Sequence, residues 1–204
     1  MHNIKWQDEP DVAEYRRLRS LYATDPGTAL IGLASLADRG SVASMLYLAE
    51  EYRNGSGYQA KDLERAKIWY AKASERGYAS ASYMLGVVCT QLMDNDGAFI
   101  AFSKGAALHY LPAIYRLAMM YRDGHGVPQD IHRCRSLLEE SASRGHLFSK
   151  RDLSTLLIRG AFGPRLKVRG ILLLINLFGS IVIFCARSVK AGPRAIVFDE
   201  RVLA

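Results

Sequence analysis

The amino-acid sequence predicts an all-α fold: a right-handed α-solenoid in which antiparallel helical hairpins follow one another along the chain. The first observation behind this prediction is a repeat, because a leucine followed by a small residue recurs at intervals of 37, 32 and 36 residues. The four pairs are Leu48-Ala49, Leu85-Gly86, Leu117-Ala118 and Leu153-Ser154. The second observation is that Gly40, Gly77 and Gly145 close successive segments, where a helix would end. Such a period is typical of two-helix repeats, which bury a continuous core only when stacked.

Each unit is predicted to contain two helices whose close contact depends on small residues. In the first helix, Gly86 and Cys89 recur at helical spacing, so a small residue would allow the second helix to approach closely. In the second helix, a small residue such as Ala66 is followed three and four positions later by a bulky pair, here Trp69-Tyr70. We expect the two helices to pack against each other through these positions.

Loops that contain glycine separate the two predicted helices in two of the units. Residues 54–57 and 123–128 supply glycines that can adopt the left-handed backbone needed where a helix ends. Pro128 is expected where the next helix begins, because the backbone N–H that proline lacks has no helical partner there. Gly77 and Gly145 are expected to cap the second helices.

With these motifs the sequence resembles the Sel1-like repeat family, whose architecture is tetratricopeptide-like. Units of that family run as Ala, Leu-Gly, Tyr, then Gly-x-Gly-Val, then Lys-Ala and Trp-Tyr, then Ala-x-x-Gly. The resemblance covers residues 41–146 and is strongest at residues 66–77 and 116–130. Residues 78–109 depart from it, because the shorter segment 92–97 replaces the Gly-x-Gly loop. That shortening resembles an ordinary tetratricopeptide unit.

The chain is predicted to consist of four segments. Residues 1–40 form an N-terminal helical capping pair and residues 41–164 form the Sel1-like repeat solenoid. Residues 165–186 form a C-terminal hydrophobic helix, and residues 187–204 form a short basic tail. A chain of 204 residues, half of them apolar, is long enough to bury a core of this kind.

The distribution of charge argues against nucleic acid as a partner. The net charge is +7, but residues 1–146 contain 17 basic and 17 acidic residues, whereas residues 147–204 contain 10 basic and 3 acidic residues. A surface that follows phosphates would carry its Lys and Arg along the repeats. The sequence therefore predicts no nucleic-acid partner.

The cysteines and the first residues bear on cellular location. Cys89, Cys134 and Cys185 lie where other units carry small or aromatic residues, which predicts core packing and a reducing compartment. The first residues contain no apolar run typical of a cleaved secretion signal. We expect the repeats on the cytoplasmic face of the cell (inner) membrane, with a cytoplasmic location as the alternative.

Residues 170–186 form a run of 17 uncharged, mostly apolar residues. As a helix this run would be about 25 Å long, close to the bilayer core of about 30 Å, and Arg169 and Arg187 flank it. These features predict a transmembrane helix that tethers the chain. Two alternatives stay open. One is a buried terminal helix or oligomer interface, because Gly170 aligns with Cys134 in the repeat register, and the other is a disordered tail.

The sequence contains no motif for catalysis, a cofactor or a metal. Zinc-site spacing is absent among the four histidines that follow residue 100, which are His109, His125, His132 and His146. Adjacent glutamates such as Glu50-Glu51 point about 100 degrees apart on a helix and cannot converge as an acid and base pair. The sequence therefore predicts a protein that is not an enzyme. Only the resemblance keeps open a hydrolase activity, which is attributed to a few family members.

The resemblance implies a non-catalytic scaffold or adaptor that binds a protein or peptide in a concave groove lined by the first helices. Such a scaffold would assemble a multiprotein complex, in signalling or in cell-envelope or exopolysaccharide processes. The predicted groove residues are Glu50, Arg53, Tyr83, Val87, Thr90, Tyr115, Met119, Arg122, Arg151 and Thr155. Tyr, Met and Arg are common interface anchors, whereas ordinary helix surface or packing between units is the alternative for each. The alternative function is a soluble structural subunit whose C-terminal helix is an oligomer or complex interface.

Overall fold

The computed structural model describes residue 4 and residues 6–56, 58–160 and 162–191, with side chains described through residue 179. Within these residues all regular secondary structure is helical, as predicted, with ten α-helices after a short 3-10 turn at Trp6–Asp8. The helices are α1 (Val12–Leu21), α2 (Pro26–Asp38), α3 (Val42–Asn54), α4 (Leu63–Glu75), α5 (Ala79–Gln91), α6 (Asn95–Ala107), α7 (Leu111–Asp123), α8 (Ile131–Ser143), α9 (Leu147–Ile158) and α10 (Pro164–Ala191).

Helix length is nearly constant along the repeats. The seven helices from α2 to α8 contain 13 residues each. Three-residue turns separate the first five hairpins from one another, at 39–41, 76–78, 108–110 and 144–146. The loops inside the second, third and fourth hairpins are 55–62, 92–94 and 124–130. The unequal repeat intervals therefore arise from these inner loops, and the shortest of them lies within the segment that departs from the family pattern.

An aspartate caps the second helix of each of the first four hairpins. Its carboxylate accepts hydrogen bonds from backbone N–H groups of the first turn at 2.8–3.1 Å. The four residues are Asp25, Asp62, Asp94 and Asp130. Pro128 was predicted to lie where the next helix begins, and this prediction is wrong. Because Asp130 holds the first turn, α8 begins at Ile131, and Pro128 lies in the preceding loop.

Residues with left-handed backbone follow the second helices. Gly40, Gly77 and Gly145 have φ angles of 104°, 82° and 100°, as expected for glycines that follow a helix. His109 stands in the same register position and has a φ angle of 57°. This conformation costs an L-amino acid more than it costs glycine.

Replacing His109 with glycine is therefore expected to raise the free energy of unfolding, by about 0.5–1 kcal/mol. Relief of the left-handed backbone is expected to outweigh both the larger conformational freedom that glycine has in the unfolded chain and the loss of the interaction that the His109 side chain makes. Urea denaturation of the two proteins measures the difference. The matched control is His125→Gly, in a loop position where φ is not positive, and this change is expected to stabilise nothing. A His109→Gly protein no more stable than the control would contradict the backbone argument.

The chain divides into two compact units, Met1–Ala113 and Ile114–Ala204. In the first unit, the core contains Leu33 and Tyr70, both 0% exposed. Gly86 lies where α5 meets α6, as predicted: a Cβ atom added to it would lie 2.5 Å from Cε1 of Phe102. Glycine at this position therefore allows the two helices to approach.

In the second unit, α10 packs against α9 as the second helix of a hairpin. A Cβ atom added to Gly170 would lie 2.9 Å from both Cβ of Leu157 and the carbonyl oxygen of Ser154. Leu177 is 6% exposed, and Leu173 packs against the core of this unit. The start of the apolar segment thus occupies the position expected from the repeat register.

Among the described residues, no helix is both long and apolar enough to cross a membrane. The helix α10 also extends beyond both ends of the predicted hydrophobic helix, residues 165–186. Part of the transmembrane prediction concerns residues 180–186, whose side chains lie outside the described part. Of the predicted basic tail, residues 187–191 continue α10, and residues 192–204 lie outside the described residues.

Two of the cysteines fill the core. Cys89 and Cys134 are buried free thiols, which confirms the prediction of core packing for both. Burial raises the pKa of the Cys134 thiol to about 11, so this group stays protonated at neutral pH. Cys185 lies among the residues whose side chains are not described.

Candidate interaction surfaces

Glu50 and Arg53, both predicted to line a groove, belong to a network that joins α3 to α4. The Glu50 carboxylate accepts hydrogen bonds from the Tyr70 hydroxyl at 2.6 Å and from the Asn54 amide at 2.9 Å, and it pairs with Arg53. Burial raises the pKa of the Glu50 carboxyl, but these hydrogen bonds outweigh burial and leave the pKa below its ordinary value. Both residues are half-buried, and their contact with a partner stays a prediction.

The predicted groove residues of α5 are also half-buried. The ring of Tyr83 contacts the rings of Phe102 and Tyr110, with centroids 5.9 and 5.7 Å away. The Thr90 hydroxyl donates to the carbonyl oxygen of Gly86 at 2.8 Å. These contacts hold the Tyr83 ring and the Thr90 hydroxyl in place within the first unit.

In the second unit, Asp152 brings two of the predicted residues together. The Tyr115 hydroxyl donates to Oδ2 of Asp152 at 2.9 Å, and Nε of Arg151 donates to Oδ1 at 2.6 Å. Sequence reasoning did not single out Asp152, although it follows Arg151 directly in the chain. Burial, together with the Asp152 carboxylate, raises the pKa of Tyr115.

The other three predicted residues of this unit differ in exposure. Arg122 and Thr155 are exposed. Arg122 binds Asp123 through two hydrogen bonds of 2.8 and 3.0 Å. Met119 requires a correction: it is only 9% exposed and packs in the core beside Cys134. Its apolar side chain stabilises the unit and is not a surface anchor.

A cluster of three tyrosines and a carboxylate joins α1 to α3 and escaped sequence reasoning. The Tyr22 hydroxyl donates to Oε2 of Glu51 at 2.6 Å. The Tyr22 ring lies edge-on to the rings of Tyr47 and Tyr58, with centroids 5.6 and 6.3 Å away. The Arg19 guanidinium carbon lies 4.0 Å from the centroid of the Tyr47 ring. We call Tyr22, Tyr47, Glu51 and Tyr58 the tyrosine–carboxylate site.

A second surface feature is an apolar stripe along α10. Its five large side chains are each at least 48% exposed. They are Val168, Ile171, Leu172, Ile175 and Phe178. Because these positions recur at helical spacing, they share one side of α10. We call this set the exposed stripe. Leu173, on the other side, packs against the core that contains Leu153 and Leu157 of α9.

Within the described residues, no group of three or more His, Cys, Asp or Glu side chains is arranged to hold a metal ion. His146, one of the histidines considered in the sequence, instead caps α9 through Nδ1, which accepts from the backbone N–H of Ser149 at 3.2 Å.

Comparison with known proteins places these observations in a family. A family model described as Sel1 repeat matches residues 42–78 and 111–146. The stretch left between the two matches contains the hairpin with the shortened loop. Protein SHC1 from Saccharomyces cerevisiae is 28% identical over 102 residues, which are 48% of this chain and 20% of that protein. The chain thus corresponds to about a fifth of the length of this curated relative.

Two crystal structures have closely similar folds. One is a protective antigen present in uropathogenic Escherichia coli strains and displaying an SLR fold, with a TM-score of 0.69 and 25% identity. That match covers 84% of this chain and 38% of the antigen. The other is a Sel1 repeat protein from Oxalobacter formigenes, with a TM-score of 0.69, 19% identity, and coverage of 81% of this chain and 72% of that protein. These likenesses confirm the predicted class, an α-solenoid of helical hairpins. Together with the two matched Sel1 repeats, they confirm the resemblance of residues 42–78 and 111–146 to the Sel1-like repeat family.

Proposed function

We propose that this chain is a non-catalytic scaffold that assembles a multiprotein complex and is held at a membrane by the exposed stripe of α10. Sel1-repeat proteins in general mediate protein–protein interactions. The proposed setting is the cytoplasmic face of the cell membrane, in signalling or in cell-envelope or exopolysaccharide processes. Binding to a membrane through the exposed stripe goes beyond that general role and is proposed for this chain.

The exposed stripe is the observation that carries the membrane proposal. Five large apolar side chains on one side of one helix form a contiguous patch of the kind that marks an interaction or membrane surface. Because each is only about half exposed, burying the rest of each side chain in a membrane would contribute about 1–2 kcal/mol. Outside functional sites, the surfaces of soluble proteins rarely carry a contiguous apolar patch of this kind.

The opposite side of α10 determines how the helix would meet the lipid. Leu173 packs on the core of the second unit and Leu177 is buried, so a helix that left α9 to cross the bilayer would uncover Leu173. We therefore propose that the described part of α10 lies along the membrane surface, with the stripe among the acyl chains.

Positive charge beside the stripe favours an anionic membrane. Arg165 and Lys167 are exposed at the start of α10, and Arg169 binds Glu139 at 3.0 Å. Cations near a membrane surface are attracted to anionic headgroups, each with about 1 kcal/mol. The same side chains would not assist contact with an uncharged apolar protein surface.

Flotation with vesicles of phosphatidylglycerol and phosphatidylcholine tests the proposal. The wild-type chain is expected to float, and the double change Leu172→Asp with Ile175→Asp is expected to reduce its membrane partition at least about tenfold. The control is Ile31→Asp with Ile100→Asp, which adds the same charge at apolar residues that are 74% and 68% exposed on α2 and α6. The control protein is expected to float like the wild type.

Light scattering distinguishes the alternative function. If the wild type does not float but is an oligomer that the Leu172→Asp and Ile175→Asp changes dissociate, the stripe is an interface between copies and the membrane proposal is wrong. Flotation of the stripe variant and the wild type to the same extent would also refute it.

A further inference from the structure

We propose that the tyrosine–carboxylate site of the first unit binds an arginine side chain of a partner protein. This inference extends the proposed scaffold function by naming the chemistry of a partner, and it does not depend on membrane binding. It rests on the geometry of the site, on the charge of Glu51 and on the position of Arg19.

The site is built with fixed geometry. The Tyr22 hydroxyl lies 2.6 Å from Oε2 of Glu51 and also 3.0 Å from Oγ of Ser56. It therefore links α3 to the start of the following loop. The Tyr22 ring meets the rings of Tyr47 and Tyr58 at interplanar angles of 83° and 82°. The Tyr22 ring, whose hydroxyl binds the carboxylate, thus lies edge-on to both other rings.

Within the described part of the chain, the Glu51 carboxylate accepts from the Tyr22 hydroxyl and has no cationic partner. Among the described residues, no Lys or Arg nitrogen lies within 4 Å of its carboxylate, whereas the neighbouring Glu50 pairs with Arg53. A carboxylate and the faces of aromatic rings both attract cations. The two kinds of group together provide a site for a positively charged side chain.

Arg19 shows which cation the tyrosine faces accept. Its guanidinium carbon lies 4.0 Å from the centroid of the Tyr47 ring, and the described residues show no ion pair between Arg19 and Glu51. The Tyr58 side chain is 70% exposed, so a second guanidinium can reach its ring from solvent. Arginine suits the site better than lysine, because a planar guanidinium can stack on a ring while its N–H groups donate to a carboxylate.

The repeat architecture does not require these residues. In the repeat register, the positions equivalent to Glu51 in the next two hairpins are Val88 and Met120, which are 0% and 8% exposed. An apolar residue therefore satisfies helix packing at this position. Helix packing therefore does not explain the carboxylate at this position of the first matched repeat. The tyrosine rings around Glu51 support a role in recognising a cation.

A pair of short peptides tests the inference on the full chain. The probes are acetyl-Gly-Arg-Gly-amide and the same peptide with citrulline, which keeps the shape of arginine but has no charge. Tyrosine ring signals are followed by NMR during titration. The arginine peptide is expected to cause saturable shifts at Tyr22, Tyr47 and Tyr58, with affinity at least about tenfold higher than that of the citrulline peptide.

Three variants complete the test. Glu51→Gln keeps an oxygen that can accept from Tyr22 but removes the charge, and it is expected to weaken arginine binding about tenfold. Tyr58→Leu is expected to weaken it about two- to fivefold. Glu64→Gln removes the same charge from an exposed position on α4 and is expected to change nothing.

Equal binding of the two peptides would overturn the inference, and so would equal effects of Glu51→Gln and Glu64→Gln. Unchanged thermal unfolding of each variant confirms that the comparison is made between folded proteins. Vesicle flotation of the Glu51→Gln protein keeps the two proposals separate. Failure of arginine binding with normal flotation refutes only the site, whereas failure of the wild type to float with normal peptide binding refutes only the membrane proposal.

Discussion

Acidification from pH 6.5 to pH 4 is expected to lower the free energy of unfolding by up to about 3 kcal/mol through His146 alone. His146 is 2% exposed, and its ring contacts the rings of Tyr115 and Phe148. Burial lowers its pKa to about 4, from an ordinary value of 6.5, although the nearby charge of Asp152 acts in the opposite direction. The neutral ring is also the form that accepts the N–H of Ser149.

The direction of this effect follows from proton uptake by the two states. Below about pH 6.5 the unfolded chain binds a proton at His146, but the folded protein does not bind it until the pH approaches 4. The stability that the neutral histidine contributes is therefore fully present above pH 6.5. It is lost as the pH falls through this window and does not decline further once both states are protonated.

Comparison with His146→Ser isolates this contribution. Ser41 caps α3 by accepting the N–H of Ser44 at 3.1 Å, so a serine in place of His146 can keep the cap while removing the titrating ring. Urea denaturation of both proteins across the window is expected to show a steep loss of stability only in the wild type. Carboxylates that titrate in the same range are common to both proteins and cancel. Parallel pH profiles would refute the assignment.

Replacing Gly86 with leucine is expected to lower the free energy of unfolding by about 1–3 kcal/mol. A Cβ atom at this position would lie 2.5–2.8 Å from three atoms of the Phe102 ring. Phe102 is 1% exposed, so its ring has no free space to move into. Helices α5 and α6 must therefore separate, or the ring must leave its preferred conformation. Urea denaturation measures the loss.

Two further proteins control this prediction. Gly27 lies near the start of α2, and the nearest atom to an added Cβ is Oδ1 of Asp25 at 3.7 Å. Gly27→Ala is thus expected to leave stability unchanged or slightly higher. Combining Gly86→Ala with Phe102→Leu is expected to cost less than the sum of the single changes, because the smaller side chain relieves the overlap. Strict additivity would show that the two residues do not contact each other.

The hairpins could be predicted from the sequence because local signals in each repeat agree. The leucine and small-residue pairs lie in the first helices, and glycines with positive φ follow the second helices at Gly40, Gly77 and Gly145. The aspartate caps carried an equally clear signal that was not used. Asp25 and Asp62 begin a series with the same intervals as the leucine pairs, 37, 32 and 36 residues.

The surfaces were harder to predict, because they depend on side chains that are far apart in the chain. Glu50 is engaged by Tyr70, 20 positions later, and Tyr115 by Asp152, 37 positions later. Helical register places a residue on one side of a helix but does not reveal which distant partner occupies that side. For the same reason Met119 was predicted to line the groove, although its side chain is only 9% exposed and lies in the core.

The apolar segment could be found from its composition, but the sequence did not show which side of this helix is buried and which is exposed. Its sequence is apolar almost all round, and only the position of α9 determines that Leu177 is buried while Ile175 is 62% exposed. The tyrosine–carboxylate site lay beyond prediction for a different reason. It joins Tyr22, from the irregular opening segment, to a residue of the first matched repeat, and no repeat signal connects the two.

The constant helix length has an evolutionary consequence. Core contacts depend on 13-residue helices and three-residue turns, so an insertion or deletion in either would shift every later side chain on that helix out of register. In the second, third and fourth hairpins, where each helix has 13 residues, only the inner loops, residues 55–62, 92–94 and 124–130, differ in length. Mutations that change chain length are therefore tolerated at these loops. Relatives should diverge there first, and acquire new binding specificity by lengthening a loop while the helices are inherited unchanged.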